Sequence, residues 1–130
     1  MEGVTFSLRD TIELLRDAEV PVDEVRASGG GAKSELWLQM QADIYNARIV
    51  TTNVSETGCV GAAMLAAIGA GYFKDAEEAC TQIIKPLSVT EPLKKNVDKY
   101  EDYYQTYRSL YGTLKATYAK QAKIVEKWMQ

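Results

Sequence analysis

The stretch Val25-Arg26-Ala27-Ser28-Gly29-Gly30-Gly31-Ala32-Lys33-Ser34 decides the reading of this chain. A short apolar run ends in three glycines, and Glu35-Leu36-Trp37-Leu38 then opens an amphipathic pattern. The order is strand, tight turn, helix. Such a turn presents backbone N–H groups at a helix N-terminus, where partial positive charge favours an anion or a polar ligand edge. Glycine lets a bound group approach the backbone, because no Cβ intervenes. The turn is therefore a candidate nucleotide site. A purely structural strand-to-helix turn, capped by Ser34, fits the same residues, and spacing alone leaves both readings open.

The turn matches neither general phosphate motif. Lys33-Ser34 fits the end of Gly-x-x-x-x-Gly-Lys-Ser/Thr, but Ala32 and Ala27 stand where that motif needs glycine. Gly29 and Gly31 fit the start of Gly-x-Gly-x-x-Gly, but Ser34 replaces the third glycine. Thr51-Thr52-Asn53 also offers no acidic residue at the end of the next strand, which weakens a dinucleotide reading further.

The chain has 130 residues, enough for one domain of ordinary size, with 46% hydrophobic and 25% charged residues. A net charge of −3 gives no basic balance pointing to nucleic acid. No apolar run approaches the roughly 20 residues of a membrane span. The start Met1-Glu2-Gly3-Val4-Thr5-Phe6 lacks the pattern of a signal peptide. Cys59 and Cys80 are expected as free, buried thiols in a reducing cytoplasm, and no metal site is expected. Histidine is absent, which excludes Ser–His and Cys–His nucleophile pairs and leaves Asp, Glu, Lys or Tyr for proton transfer.

Outward from the turn, Ser7 is expected to cap a first helix, with Asp10 three residues on and Leu8, Ile12 and Leu15 on its buried face. The second helix is predicted from Glu35 to Asn46, facing inward with Leu36, Met40, Ile44 and Trp37. Arg48–Thr52 is β-branched and reads as a second strand. Ser55 is expected to cap a third helix, with Glu56 against its dipole. That helix is small-sided through Gly58, Gly61, Ala62, Ala66 and Gly69, and it reads as tight helix–sheet packing or as a ligand approach. Asp75 caps a fourth helix, ended before Pro86, and Ser88–Leu93 with Pro92 reads as extended loop. From about Asn96 one long helix carries Val97, Tyr100, Tyr104, Tyr107, Tyr111, Leu114 and Tyr118 in steps of three and four. This is a half-wet docking face against the chain's own domain or a coiled-coil seam.

The pattern is α/β, in the order α-β-α-β-α followed by more helix. Its two strands are expected to pair in parallel through a right-handed crossover. Parallel sheets normally have several strands with both faces covered, so the chain reads as part of a larger α/β domain.

These elements resemble the C-terminal end of the FGGY carbohydrate kinases, most closely their xylulokinase-like members. The matching stretches are Glu2–Asp10, Arg26–Trp37, Gln41–Tyr45, Glu56–Ala66 and the tail Tyr100, Tyr104, Tyr107, Leu110-Tyr111. They cover residues 1–115 as one portion of the second lobe and leave 116–130 as a helical extension. The resemblance implies a partial actin-like (ribonuclease H-like) lobe. It also implies transfer of the γ-phosphoryl of ATP to a sugar hydroxyl with Mg²⁺, in the cytoplasm. By position, Gly30 and Ser34 would contact the nucleotide, while Gly29 and Gly31 would shape the turn. Ser34 is shorter than the Asn found there in glycerol-kinase-like members. Lys33 could reach a phosphate, although it also reads as a surface lysine. The family's catalytic Asp, sugar-binding residues and phosphate hairpins lie upstream, so no catalytic residue is assigned here. Asp43 and Glu56 read as surface or dipole partners. The rival reading is a non-catalytic helical self-association module whose glycine turn is structural.

Overall fold

The computed structural model describes residues 1–129. Its elements are α1 (Glu2–Asp17), β1 (Glu24–Ala27), α2 (Glu35–Tyr45), β2 (Arg48–Thr52), α3 (Thr57–Gly69), α4 (Ala76–Ile83), β3 (Pro86–Thr90) and α5 (Lys94–Trp128). A single turn of 3-10 helix over Gly30–Lys33 separates β1 from α2.

The sheet runs in the order β1-β2-β3. β1 and β2 are parallel, with Val25 opposite Ile49 and Ala27 opposite Thr51. β3 adds antiparallel to β2, setting Thr51 opposite Ser88, and those two hydroxyls are 2.6 Å apart. The third strand corrects the expectation of an extended loop after residue 88. Pro86 is the first residue of an edge strand, one of the few sheet positions where a missing N–H costs no ladder bond.

One sheet face is sealed. Ile49, Ile44, Ala42 and Leu38 join Phe6, Ile12 and Tyr104 in one buried cluster, with Val25 and Ala27 packed against it. α1 begins at Glu2, six residues earlier than the Ser7 cap predicts, and Ser7 lies exposed within it. Its buried face is Thr5, Phe6, Arg9 and Ile12, leaving Leu8 and Leu15 exposed. The rotation follows the aromatic residue: Phe6 meets the rings of Tyr100, Tyr104 and Tyr107 at 5.5–6.2 Å. Such contacts favour burying Phe6 over a leucine. The Arg9 guanidinium covers the Tyr104 ring at 3.9 Å and pairs with Glu13 and Glu101. α2 is turned similarly: Ile44 is buried as expected, but Leu36 is exposed and Leu38 takes its place inside.

The other sheet face is sparsely covered. Glu24, Arg26, Arg48, Val50 and Val89 flank a hollow there, and Glu24 pairs with both arginines. α3 follows β2 with Glu56, not Ser55, as its N-cap residue, and the Glu56 side chain makes no capping bond. Only Met64 of α3 is buried, and a Cβ at Gly58, Gly61 or Gly69 would meet nothing within 4 Å. The tight helix–sheet packing expected for this helix is therefore absent among the described residues. Cys59 and Cys80 are free, as expected, but exposed. Asp75 caps α4 by accepting the Glu78 N–H at 2.9 Å.

Candidate functional site

Because β1 and β2 are parallel, the segments leaving their C-terminal ends lie side by side. In open α/β sheets that is where ligands bind. Here the two segments are the glycine turn and the loop Asn53–Glu56. A hollow of about 240 Å³ lies between them, lined by Ser28, Gly29, Ala32 and Lys33 on one side and by Thr51–Ser55 on the other. A second hollow of about 360 Å³ lies between the end of β1 and α3, with Thr57, Val60, Gly61 and Met64 on its far wall. Ligand pockets typically enclose ~300–1,000 Å³, so the second hollow only reaches the bottom of that range and the first falls short of it.

The three glycines have distinct local roles. Gly29 takes φ +77°, a backbone region that side-chain-bearing residues rarely adopt. Gly31 lies beneath the indole of Trp37, where a Cβ would fall 2.8 Å from Cε3. Gly30 has neither constraint: its φ is ordinary and a Cβ would meet nothing within 4 Å. Trp37 is itself fixed, because its Nε1–H donates to Thr5 Oγ1 at 3.1 Å and ties α2 to α1. The amides of Ala32 and Ser34 donate within the turn, to the carbonyls of Gly29 and Gly31. The first amides of a helical turn have no acceptor inside it, which leaves those of Gly30 and Gly31 to face outward. Ser34 is the N-cap of α2, its Oγ accepting the Trp37 N–H at 3.3 Å. A hydroxyl in that role keeps its own proton to donate.

Of the residues singled out in the sequence, Gly29 lines the smaller hollow, whereas Gly30, Gly31 and Ser34 do not. Lys33 lines it too. Sequence reasoning passed over Asn53, which fixes the opposite wall. Its side-chain amide donates to the Ile83 carbonyl at 3.0 Å, and its Oδ1 accepts the Lys85 N–H at 2.7 Å. Its backbone N–H donates to the Lys85 carbonyl at 3.0 Å. The available signal was an amide residue directly after a β-branched strand, a position where Asn commonly bonds backbone.

Asp43 corrects the expectation of a surface carboxylate. It is 2% exposed. It accepts from the Leu93 N–H and the Asn96 amide, each at 2.7 Å, and from Gln39 at 2.9 Å. It thereby anchors the start of α5 on α2, away from the turn. Among the described residues no group of three His, Cys, Asp or Glu side chains could hold a metal ion. No helix among them is long and apolar enough to cross a membrane.

Comparison with known proteins agrees with this architecture. Residues 1–70 match the FGGY family of carbohydrate kinases, C-terminal domain. The chain is 45% identical over 111 residues to the xylulose kinase of Bacillus subtilis, covering 85% of this chain and 22% of that protein. It is 44% identical over 115 residues to the xylulose kinase of Staphylococcus epidermidis, covering 88% and 23%. Among solved structures, the gluconate kinase of Lactobacillus acidophilus superposes with a TM-score of 0.82 at 31% identity, over 92% of this chain and 24% of its own. A ligand-bound xylulose kinase from the same organism gives 0.80 at 28% identity, again over 92% and 24%. The chain thus spans less than a quarter of the length of these relatives. The α/β arrangement, with few parallel strands and added helices, is part of an actin-like sugar-kinase lobe. A parallel strand pair, a triple-glycine turn at its C-terminal end and a family match over more than half of the residues lead to one assignment: this chain belongs to the FGGY family of carbohydrate kinases, to whose C-terminal domain its residues 1–70 correspond.

Proposed function

We propose that this chain is the nucleotide-facing C-terminal segment of an ATP-dependent kinase that phosphorylates a ketopentose such as xylulose. The observation that carries the reading is the turn itself. Gly29 and Gly31 are glycine for reasons internal to the fold, whereas Gly30 has no such reason and faces open space beside a hollow at the strand ends. A ligand packed on that backbone supplies the missing reason. In this reading the adenosine part of ATP lies along Gly30, and the Ser34 hydroxyl donates to it. Gly29 and Gly31 hold the turn in shape, and Lys33 stands at the phosphate side.

Mg²⁺ is part of the proposed reaction, but the residues described here provide no carboxylate cluster for it. The sugar pocket, the metal clamp and the proton acceptor belong to polypeptide outside this chain. Phosphoryl transfer is almost entirely positioning and charge stabilisation, so a segment without those parts does not catalyse it alone. Two free thiols fit a cytoplasmic protein.

Titration of the chain with ATP, followed by amide NMR shifts, tests the reading. Shifts concentrated at residues 29–34 and 52–55 are expected, and Gly30→Val should weaken binding at least tenfold. Unmoved turn amides at saturating nucleotide would sink the pocket. Turnover of xylulose and ATP by the chain alone, at the ~1–100 s⁻¹ usual for kinases, would sink the claim that catalysis needs the missing parts. The second reading, a self-association module with a structural turn, draws its support from the exposed apolar line on α5 and requires a turn indifferent to ATP.

A further inference from the structure

α2 carries Trp37 at its third helical position, directly after the Ser34 cap and Glu35-Leu36. Side chains of a helix lean towards its N-terminus, so a large ring at that position lies back over the residues that precede the helix. Those residues are the glycine turn, and the Trp37 indole covers Gly31. The turn has little packing of its own. None of Gly30–Lys33 is buried, and of the three glycines only Gly31 would bring a Cβ within 4 Å of a neighbour. Ala32 packs on the core, and the two bonds inside the turn, from the Ala32 and Ser34 amides, are each 3.2 Å long. Consecutive glycines lose much conformational freedom when ordered, so a ligand that needs one shape of this turn depends on what holds that shape. The ring itself is held by Thr5, which is fully buried on α1 beside Phe6. The indole Nε1–H donates to Thr5 Oγ1 at 3.1 Å. The Thr5 hydroxyl gives its one proton to the Met1 carbonyl at 3.2 Å, which leaves its lone pairs to the indole.

We propose that Trp37 is a positioning residue for the nucleotide, and that the buried Thr5 hydroxyl sets the angle of its ring. The inference rests on the nucleotide reading of the turn and states what makes the turn able to bind. Trp37 lines neither hollow at the strand ends, so it acts through the turn and not on the ligand. It reaches both residues that face the adenosine in that reading. Its ring covers Gly31 and so holds the backbone from which Gly30 presents its N–H. Its own N–H occupies the Ser34 Oγ at 3.3 Å and leaves that hydroxyl its proton to donate. Order therefore passes from the core to the turn along one line: Phe6 in the aromatic cluster, Thr5 next to it, the Trp37 ring, and Gly31. Without the Nε1–H bond the ring is free to tilt, and the turn samples shapes in which its outward amides no longer converge. Affinity then falls in proportion to the fraction of chains that hold the competent shape.

Titration calorimetry of ATP with the full chain, well below the melting temperature of every variant, tests the proposal. Thr5→Val removes the acceptor at nearly constant shape, and Trp37→Phe keeps an aromatic ring but removes the donor. Each should weaken ATP binding about three- to tenfold, the range of a single hydrogen bond. The double variant should bind no more weakly than the weaker of the two single ones, since both remove the same bond. Thr5→Ser, which keeps the hydroxyl, should bind as the parent chain does. At saturating ATP the Thr5→Val chain should bring the Gly30 amide to the NMR shift it has in the parent complex, because only the competent fraction has changed. Variants that melt earlier yet bind ATP as tightly as the parent would reduce the bond to a tie between helices; they would overturn the proposal and leave the nucleotide reading intact. Losses that add in the double variant would overturn it by separating the two residues. A Gly30 amide displaced at saturation would overturn it by showing an altered bound state. A parent chain that ignores ATP would sink the nucleotide reading and this inference with it.

Discussion

At residue scale, three consecutive glycines carry three different constraints, so a single substitution has three different consequences. Gly31→Ala drives a methyl into the Trp37 ring and pulls that ring off Thr5. Overpacking of this kind costs ~1–3 kcal/mol, and the urea midpoint should fall accordingly. Gly29→Ala meets no neighbour but must hold φ +77°, costing ~1–2 kcal/mol. Gly30→Ala should stay within ~0.5 kcal/mol of the parent chain. An equal loss at all three sites would show that the turn is tighter than the structure allows. Tyrosines offer a second test. Burial pushes Tyr45 up to about 12. Burial, then the hydrogen bond and charge of Asp10, push Tyr104 to about 12 as well. Both fold as neutral phenols whose unfolded value is near 10.0. Their stabilisation is complete below pH 10 and is lost as pH rises from 10 towards 12, because the unfolded chain releases those protons first. Absorbance at 295 nm should show both of these phenols titrating late, and Tyr104→Phe should remove one of them. Titration of every phenol by pH 11 would contradict their burial.

At element scale, Asp43 joins what the sheet alone leaves apart. β3 ends at Thr90 and α5 starts at Lys94, so the short link between them is held by the Asp43 carboxylate on α2. Asp43→Ala strands the Leu93 N–H and the Asn96 amide together, while the Gln39 amide keeps the Glu91 carbonyl. The expected loss is about 2–3 kcal/mol, since bonds to a charged acceptor are worth ~1.5–3 kcal/mol each and exposed groups recover water. Asp43→Asn should lose less, because one amide oxygen still accepts. This network also shows where sequence reading stops. The parallel strands, the Ser34 and Asp75 caps and the long helix were legible because each rests on local chemistry: β-branching, an oxygen at an N-cap, an unbroken three–four spacing. The third strand was not, because Pro86 and Pro92 bracket it and its reason is a partner strand more than thirty residues away. Helix faces were half legible. Leu8 and Leu36 have the right period, but Phe6 and Leu38 win the inward positions through tertiary contacts that no spacing reveals. Asp43 looked like a surface carboxylate for the same reason: its three donors come partly from residues 50 and more positions on. At the site, the glycine turn stood out in sequence, and Asn53 did not, because its bonds cross to the link between α4 and β3.

At the scale of the whole molecule, the candidate site lies between two unequally built halves. α1, α2, β2 and the start of α5 share one buried cluster, and the glycine turn is anchored to it through Trp37 and Ala32. α3 and α4 contribute only Met64 and Ala79 to the buried set, and α3 exposes Leu65. Local opening is cheapest where few apolar groups are buried, so amide exchange should divide the chain along that line. The slowest amides are expected in α2 and β2, and those of α3, α4 and the C-terminal half of α5 should exchange far sooner. The loop Asn53–Glu56, the second wall of the hollow, feeds directly into the loose half. A nucleotide that bridges the turn and this loop stabilises only the state in which both walls are in place. Its binding free energy therefore becomes protection of α3. Exchange measured with and without ATP should show slowing concentrated in Asn53–Gly69, much less in α1 and α2, and none of it in the Gly30→Val variant. Uniform slowing across the chain, or none in α3, would mean that the two walls do not close on a common ligand. A turn that protects only itself would then be a structural bend.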